Sequence, residues 1–254
     1  MPLLTIVYPL RNLEAQRIYN CLHSLRLQTF KDFHVIISDY GSNQKGRSHL
    51  EKALKKIGTK LNFEVIRTEI KGDWNRSAAL NRGIIKAKTQ FIMGSDLDMI
   101  YHPDFLSIAT QNLNSQSYVV HHIARQLKKM ELPSLEIKMR ENNWEFFHSN
   151  SKSRTGGGTG ACQIIPRSKF FYLGGYDEIY EHWGAEDDDM RYRLRQVNMK
   201  EVSISNLTNF YHQWHPTNKK NRIKINANRN YFATSKTPNF SVIRNGGSWD
   251  IDEK

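Results

Sequence analysis

The chain has 254 residues, of which 39% are hydrophobic and 11% aromatic, so it is long enough and apolar enough to bury a sizeable core. No segment approaches the ~20 apolar residues that span a bilayer, and the two cysteines provide neither a disulfide framework nor a metal-ligand spacing. The formal net charge of +12 indicates attraction to anions, whether nucleotide phosphates, lipid headgroups, acidic glycans or nucleic acid.

The first ten residues, MPLLTIVYPL, lack a basic region and a small-residue cleavage site, so we interpret them as a first strand and not as a secretory signal. The scarcity of cysteine, which is typical of a reducing compartment, favours a cytoplasmic location. Basic residues concentrate in 125–140 and 219–244. They form either a solvated face or a surface for peripheral contact with the inner face of a membrane.

Strands and helices alternate over the first hundred residues. Apolar runs predict strands at 5–8, 34–37, 62–67 and 91–94, and helical spacing predicts helices at 13–28, 48–57 and 74–87. The first strand is expected to stop at Pro9. This alternation is typical of a parallel sheet in a doubly wound α/β fold, whose ligands bind beyond the carboxyl ends of the strands. Asp39 and Asp96 fall at such ends.

The rhythm changes in the second half of the chain. We predict a helix at 103–113, strands at 117–122 and 161–165, a short helix at 166–175, a helix at 186–197 and a hairpin of 202–204 with 207–214. The polar stretch up to residue 154 has no strong periodicity and is interpreted as an excursion or lid. A turn-rich tail, 235–254, is expected to follow a single domain over 1–234.

Asp96-Leu97-Asp98 follows the apolar run at 91–94 and places two carboxylates one residue apart. One of them could bind a divalent cation while the other holds a ribose hydroxyl or a metal-bound water. Hard divalent cations prefer oxygen ligands and would bridge the diphosphate of a nucleotide sugar. Acidic pairs are also common at ordinary turns, so the position after a predicted strand is what favours a metal site.

Four consecutive acids, Glu186 to Asp189, begin a predicted helix. The helix dipole favours one or two acids in a first turn, but four exceed that need. Trp183 before them offers an apolar face for a sugar ring, and a carboxylate beside a bound sugar could act as general base toward the attacking hydroxyl. Helical spacing places Glu186 near Asp189 and turns Asp187 to another face.

His212 and His215 lie three residues apart after an apolar run. If the segment is extended, the two rings point to opposite faces, whereas a turn could present both to one ion. Two ordinary histidines at the end of a strand would show the same spacing.

Four segments, taken in order, resemble those of one family. They are Tyr8-Pro9-Leu10-Arg11-Asn12, Ser95-Asp96-Leu97-Asp98-Met99, Gly174-Gly175-Tyr176-Asp177 with the run from Trp183 to Asp189, and His215 with Lys219-Lys220-Asn221. They resemble P-[FL]-R-N, S-D-V-D-L, G-G-F…W-G-G-E-D-D-D and H-x-x-x-K-K-N of glycosyltransferases with the GT-A fold. The chain looks like a family-two enzyme whose carboxyl half is similar to that of β-1,4-galactosyltransferases and polypeptide N-acetylgalactosaminyltransferases.

The resemblance implies an α/β GT-A fold: a single Rossmann-like sheet that binds the nucleotide sugar over 1–100, with helices on both faces, and an acceptor-binding half over 101–234. It also implies an inverting, metal-dependent transfer of a hexose or N-acetylhexosamine. The donor would be a UDP-sugar, and the acceptor would be a hydroxyl of a glycan or of a lipid-linked glycan.

The resemblance further implies a role for each matching side chain. Asp187 would be the general base, with Trp183, Glu186 and Asp188 against the acceptor. Pro9, Arg11, Asp39, Arg76 and Asp96 would face the nucleotide sugar. Asp98, His215 and His212 would hold Mn²⁺ or Mg²⁺.

The sequence departs from the family pattern in two motifs. Ala185 replaces the second glycine of W-G-G-E-D-D-D. The segment Asp39-Tyr40-Gly41-Ser42 resembles the family-two motif D-D-G-S, with Tyr40 in place of the second acid. The stem and membrane anchor of the animal enzymes are missing, which favours a bacterial-type enzyme. A glycan- or polyanion-binding module and a sugar nucleotidyltransferase are the alternatives. Nucleic acid is not expected as a partner, because no recognised nucleic-acid motif is present.

Overall fold

The computed structural model describes residues 1–153, 159–182, 184–216, 222–236, 241–247 and 249. Its strands are β1 (Leu4–Leu10), β2 (Phe33–Tyr40), β3 (Phe63–Thr68), β4 (Phe91–Gly94), β5 (Met99–Tyr101), β6 (Ser117–Val120), β7 (Arg125–Leu127), β8 (Ser151–Ser153), β9 (Gln163–Pro166), β10 (Lys200–Ser203) and β11 (Phe210–His212). Its helices are α1 (Ala15–Arg26), α2 (Gln44–Ile57), α3 (Arg76–Lys86), α4 (Phe105–Gln111), α5 (Leu132–Arg140), α6 (Trp144–Ser149), α7 (Arg167–Tyr172), α8 (Glu186–Gln196) and α9 (Arg222–Ser235).

A seven-stranded sheet lies at the centre of the molecule, with the strand order β10-β6-β9-β4-β1-β2-β3. The interior strand β1 pairs in parallel with β2 and β4, and all of its residues are buried. Ile6 packs in a cluster with Ile18 of α1 and Leu50 of α2, whereas Val7 packs on the other side with Leu80 of α3. Successive side chains of a strand point to opposite faces, so both faces of the sheet need a helical cover. The predicted α/β fold is confirmed.

β1 continues to Leu10, so the predicted stop at Pro9 is wrong. β4 pairs with β1 only from Leu4 to Val7, which leaves Pro9 with a neighbouring strand on one side, β2. A proline lacks an N–H but is tolerated where a strand is only half paired. The longer strand carries Arg11 to the carboxyl edge of the sheet.

The predicted hairpin of 202–204 with 207–214 is also wrong. β10 pairs in parallel with β6 in the central sheet, whereas β11 belongs to a second sheet of four strands in the order β5-β11-β7-β8. The backbone N–H of Ile204 donates to Val120 at 3.0 Å, and the chain then leaves the central sheet. Alternation along a segment identifies a strand, but the partner of that strand depends on distant packing.

Residues 125–153 are largely regular secondary structure, in contrast to the predicted excursion. They contain β7, α5, α6 and β8. Leu135 and Met139 of α5 and Phe147 of α6 bury their side chains together with Tyr211 of β11. This small core is separate from the central sheet, and its few apolar residues are spread over short elements, so no long periodicity marks it in the sequence.

The carboxyl-terminal part contains α9, which the sequence pattern did not predict. It also contains Trp249, which packs against α7. The backbone N–H of Trp249 donates to Phe171 at 2.8 Å. A Cβ at Gly175, which has φ +71°, would lie 2.1 Å from the Trp249 ring, so the glycine permits this close contact. Among the helices described, none is long and apolar enough to cross a membrane.

Candidate active site

Asp98, His212 and His215 come together beside β5. Asp98 directly precedes β5, and the antiparallel pairing of β11 with β5 puts His212 opposite Met99. Nε2 of His212 lies 3.1 Å from Oδ2 of Asp98, and Nε2 of His215 lies 3.5 Å from the same oxygen. β11 ends at His212, so the segment up to His215 is free to leave the strand geometry. Both rings therefore face one carboxylate.

The Asp98 carboxylate is buried, with 8% of the residue exposed. Burial alone would raise its pKa, but His212 and His215 outweigh that effect and hold the pKa of Asp98 well below its usual range. Its second oxygen, Oδ1, is buried and has no hydrogen-bond partner within the described ranges. Such an oxygen is costly to leave unsatisfied.

Two glutamines, Gln126 and Gln213, bind His212 and the backbone of Asp98 and so help to orient the candidate cation site. Oε1 of Gln126, on β7, lies 2.7 Å from Nδ1 of His212 and accepts its hydrogen, so Nε2 is the nitrogen left to face Asp98. Gln213 is fully buried; its amide binds Asn20 and the Arg17 carbonyl, each at 3.0 Å, and its backbone N–H donates to the Asp98 carbonyl at 3.1 Å. Neither glutamine was predicted as part of the site, because a lone glutamine within a strand or just after one gives no pattern signal.

The donor set of Asp98, His212 and His215 fits a divalent cation. One carboxylate oxygen and two ring nitrogens lie within 4.8 Å of one another, and the unpartnered Oδ1 of Asp98 is available as a further oxygen donor. Imidazole ligands suit transition metals better than Mg²⁺, which prefers oxygen and water. The residues present therefore match Mn²⁺ better than Mg²⁺.

Arg76, the first residue of α3, connects the two acidic motifs. Its Nε donates to Oδ1 of Asp96 at 2.8 Å, and its NH1 lies 3.4 Å from Oε1 of Glu186. Its NH2 donates to the Gly160 carbonyl at 2.6 Å. Burial opposes the charge of this guanidinium, but the carboxylates of Asp96 and Glu186 outweigh burial and raise the pKa of Arg76. The network places the acidic run beside the Asp96–Asp98 pair.

The acidic run opens α8 as predicted, and its first two carboxylates are buried. Glu186 is 4% and Asp187 7% exposed. Burial, followed by repulsion from Asp187, raises the pKa of Glu186 to about 7. Burial, and after it the charge of Asp188, raises the pKa of Asp187, whereas the charge of Arg76 lowers it. Oδ2 of Asp187 accepts the Gly160 N–H at 2.8 Å.

The other two acids of the run have different partners. Asp188 has 45% of its side chain exposed and lies 3.4 Å from Arg191. Asp189 is fully buried and pairs with Arg193 at 2.7 Å and Arg244 at 3.4 Å. Asp189 therefore ties α8 to its surroundings, while Glu186, Asp187 and Asp188 are left for the site. Trp183 lies outside the described residues.

Of the five residues expected on the nucleotide side, Arg76 and Asp96 belong to the network just described, whereas the other three lie at the adjoining ends of β1 and β2. Leu10 pairs with Asp39 in the sheet register, so Pro9 and Arg11 flank the strand end beside Asp39. Arg11 donates to the Gly72 carbonyl at 3.0 Å, and Asp39, 2% exposed, accepts the Ser42 N–H at 3.1 Å. No contact joins this group to Arg76 among the described hydrogen bonds.

Tyr176 and Gln163 are joined by hydrogen bonds to the backbone of the acidic run, a role that was not predicted from the sequence. The Tyr176 hydroxyl donates to Oε1 of Gln163 at 2.8 Å, and Nε2 of Gln163 donates to the Asp187 carbonyl at 2.9 Å. A Cβ at Gly94 would lie 2.8 Å from the Tyr176 hydroxyl. Tyr176 stands in the G-G-Y-D motif, which was the available signal. Its ring extends under the end of β4, a placement that only the fold shows.

Two family profiles match the chain. The profile described as glycosyl transferase family 2 matches residues 5–171, which include Asp98. The profile described as N-terminal domain of galactosyltransferase matches residues 141–216, which include Asp187. The predicted likeness of the two halves to these two groups is confirmed.

Similar proteins agree with this assignment. The chain is 22% identical over 235 residues to chondroitin synthase of Escherichia coli, a match that covers 80% of this chain and 33% of that protein, so the chain spans about a third of that relative. Among solved structures, S. aureus TarS 1–349 in complex with UDP-GlcNAc superposes with a TM-score of 0.64 at 15% identity over 91% of this chain and 65% of that chain. Mannosyltransferase PcManGT from Pyrobaculum calidifontis, in complex with GDP-Man and Mn²⁺, gives 0.58 at 16% identity over 86% and 58%. Because the family 2 profile covers more than half of the sequence, the chain belongs to glycosyl transferase family 2 and is a glycosyltransferase domain of the GT-A fold.

Proposed function

We propose that the protein is an inverting, metal-dependent glycosyltransferase that moves a hexose or N-acetylhexosamine from a UDP-sugar to a hydroxyl of a glycan acceptor. One observation carries the proposal: Arg76 holds Asp96 and Glu186 in a single network. Asp96 is two residues from Asp98, and Glu186 is next to Asp187. A candidate cation site and a candidate base therefore share one site.

The donor side of the site is built from the carboxyl edge of the central sheet. Asp98, His212 and His215 would hold Mn²⁺, which would offset the charge that develops on the diphosphate when the sugar bond breaks. Oδ1 of Asp96 is bound to Arg76, and its other carboxylate oxygen would hold a ribose hydroxyl or a metal-bound water. Asp39 and Arg11 lie at the strand ends where the base and ribose would enter.

On the acceptor side, Asp187 would accept the proton of the attacking hydroxyl. Its raised pKa makes the carboxylate a stronger base than an exposed aspartate, as a general base requires. The acceptor oxygen forms a bond to the anomeric carbon while the bond from that carbon to the UDP oxygen breaks, and UDP leaves. A single displacement inverts the anomeric centre. Glu186 and Asp188 would bind other acceptor hydroxyls.

The relatives support a nucleotide-sugar donor. TarS has been solved with UDP-GlcNAc and PcManGT with GDP-Man and Mn²⁺, and chondroitin synthase acts, by its name, in making a glycan. TarS, whose structure with UDP-GlcNAc superposes with the higher TM-score, 0.64 against 0.58 for PcManGT, supports UDP as the nucleotide. A net charge of +12 would also suit an acidic glycan or lipid-linked acceptor.

UDP release tests the proposal directly. The protein would be incubated with Mn²⁺ and, in turn, UDP-N-acetylglucosamine, UDP-N-acetylgalactosamine, UDP-glucose and UDP-galactose, with GDP-mannose as the nucleotide control. We expect release from at least one UDP-sugar, loss of release with EDTA, and recovery on adding excess Mn²⁺. Binding of UDP-sugars without release, with glycan fragments present, would instead indicate a binding module. Release that persists in EDTA would refute the metal dependence.

A further inference from the structure

Arg17 carries a buried positive charge that has no close ion-pair partner among the described residues. Only 7% of the residue is exposed, and NH1 of its guanidinium has no hydrogen-bond partner in the described part of the chain. The nearest acid, Glu14, keeps 3.9 Å from NH2 and has 59% of its side chain exposed. A buried guanidinium without a close anion is costly to the fold, which points to a partner that arrives from outside.

The backbone of Arg17 is linked to the candidate cation site through Gln213. It lies in the first turn of α1, at the carboxyl edge of the central sheet. Its carbonyl accepts the Gln213 amide at 3.0 Å, and the Gln213 backbone N–H donates to the Asp98 carbonyl at 3.1 Å. Burial lowers the pKa of Arg17 while Asp98 acts against that shift, and the charge of Arg17 also acts on His215. The guanidinium therefore lies within electrostatic reach of both ligands.

The start of α1 adds to the positive potential at this point. Glu14 precedes the helix but makes no side-chain capping hydrogen bond, so the first N–H groups of α1 are not satisfied by a cap. The amino end of a helix attracts anions. An arginine, a helix amino end and a candidate cation site thus converge at one place.

We propose that Arg17 binds an oxyanion of the substrate next to the cation, either the diphosphate of the donor or the carboxylate of an acidic sugar. This inference rests on the proposed function and adds a residue that the family motifs do not contain. A guanidinium offers paired N–H donors that match phosphate and carboxylate oxygens. A divalent cation, Arg17 and the ionised Asp98 carboxylate together carry a net charge of about +2, which would balance the two negative charges of a nucleotide-sugar diphosphate.

The test uses Arg17→Met, which removes the charge and keeps most of the buried stem, and Arg17→Lys, which restores a charge. Arg26→Met, at the other end of α1, is the matched control for a lost positive charge. Inorganic pyrophosphate, UDP and glucuronate would each be titrated calorimetrically, with and without Mn²⁺. If the diphosphate is the ligand, Arg17→Met weakens pyrophosphate and UDP binding by about 10- to 100-fold, Arg17→Lys recovers part of it, and Arg26→Met matches the wild type. If an acidic sugar is the ligand, only glucuronate binding falls.

A melting curve separates a ligand-binding role from a structural one. Without ligand, Arg17→Met should melt at or above the wild-type temperature, because an uncompensated buried charge has been removed. Added pyrophosphate should then raise the melting temperature of Arg17→Met by less than it raises that of the wild type. Unchanged affinities for all three anions, or a lower melting temperature of the free variant, would overturn the inference. Pyrophosphate binding does not depend on sugar transfer. If Arg17→Met loses pyrophosphate binding while the wild type releases no UDP from any UDP-sugar, the role of Arg17 stands and only the proposed function is refuted.

Discussion

Asp98 and His215 belong to segments far apart in the sequence, yet Nε2 of the histidine lies 3.5 Å from Oδ2 of the aspartate. The antiparallel pairing of β11 with β5 produces this contact, since it sets the end of β11 against the start of β5. The aspartate belongs to the part of the chain shared with family 2, and the histidine to the part shared with galactosyltransferases. The candidate cation site is therefore made by joining the two halves.

Gln126 should control how well His212 binds a cation. The glutamine accepts the hydrogen on Nδ1 of His212 at 2.7 Å and so fixes the ring orientation. Replacing it with leucine, Gln126→Leu, removes that acceptor, and loss of such a supporting contact weakens metal affinity by about 10- to 100-fold. Free Mn²⁺ measured by electron paramagnetic resonance, without donor or acceptor, would report the change.

Gln90→Leu, on the exposed connection before β4, is the control for this measurement and should bind Mn²⁺ as the wild type does. Equal Mn²⁺ affinity in Gln126→Leu and the wild type would mean that the ring of His212 is held by other contacts or does not bind the ion.

Asp187→Asn should abolish most turnover while preserving donor binding. The asparagine oxygen can still accept the Gly160 N–H that Asp187 accepts at 2.8 Å, so the local fold should persist. Removing a general base costs about 100- to 10,000-fold in rate. Turnover and UDP-sugar affinity would be measured on the same preparation.

Asp188→Asn provides the comparison, because this neighbouring side chain is 45% exposed. If Asp188 binds acceptor hydroxyls, its variant should raise the acceptor KM more than it lowers kcat. Near-normal turnover in Asp187→Asn would show that Asp187 is not the general base, and the buried Glu186 would be the next candidate to test.

The sequence was sufficient to predict the first half of the fold. Long apolar runs alternate there with clear helical spacing, and β1, β2 and β3 lie side by side in chain order. The motifs also pointed to Asp98, His212 and His215, three residues that the structure brings together. Local pattern and spatial partner agree in this part of the molecule.

The second half was harder, for physical reasons that two examples show. β10 and β11 follow one another in sequence but join different sheets, because the partners of a strand are chosen by packing and not by its own residues. Gln126 and Gln163 are isolated polar residues whose partners, the ring of His212 and the carbonyl of Asp187, come from remote elements. Periodicity carries no information about such contacts.

Ala185 should be a site where glycine stabilises the protein. It precedes α8 with φ +74°, a left-handed conformation that costs a residue with a Cβ about 1–2 kcal/mol. Ala185→Gly removes this strain, while the greater freedom of glycine in the unfolded chain takes back part of the gain. We expect a net increase of about 0.5–1 kcal/mol in the free energy of unfolding.

Chemical denaturation would measure this difference, with Ala161→Gly as the matched control. Both alanines are 9% exposed, but Ala161 is not among the residues with positive φ. Ala161→Gly should therefore destabilise. A loss of stability in Ala185→Gly of similar size would show that the alanine methyl group contributes more by packing than it costs in strain.

Glu186 should make the stability of the free protein fall between pH 4.5 and about 7. Burial and repulsion from Asp187 raise its pKa from 4.5 to about 7 in the folded state. A carboxyl whose pKa is raised on folding contributes stability that is fully present below the unfolded pKa and is lost as pH rises through the folded value.

Glu186→Gln stays neutral throughout, so it should be more stable than the wild type at pH 8, by an amount on the order of 3 kcal/mol, and nearly equal at pH 4. The two proteins share every other ionisable group, so the difference between the two unfolding curves isolates Glu186. Glu64→Gln, at an exposed position on β3, should show no such difference. Parallel curves for Glu186→Gln and the wild type across this range would mean that Glu186 is already ionised at pH 5, with Arg76 compensating its charge fully.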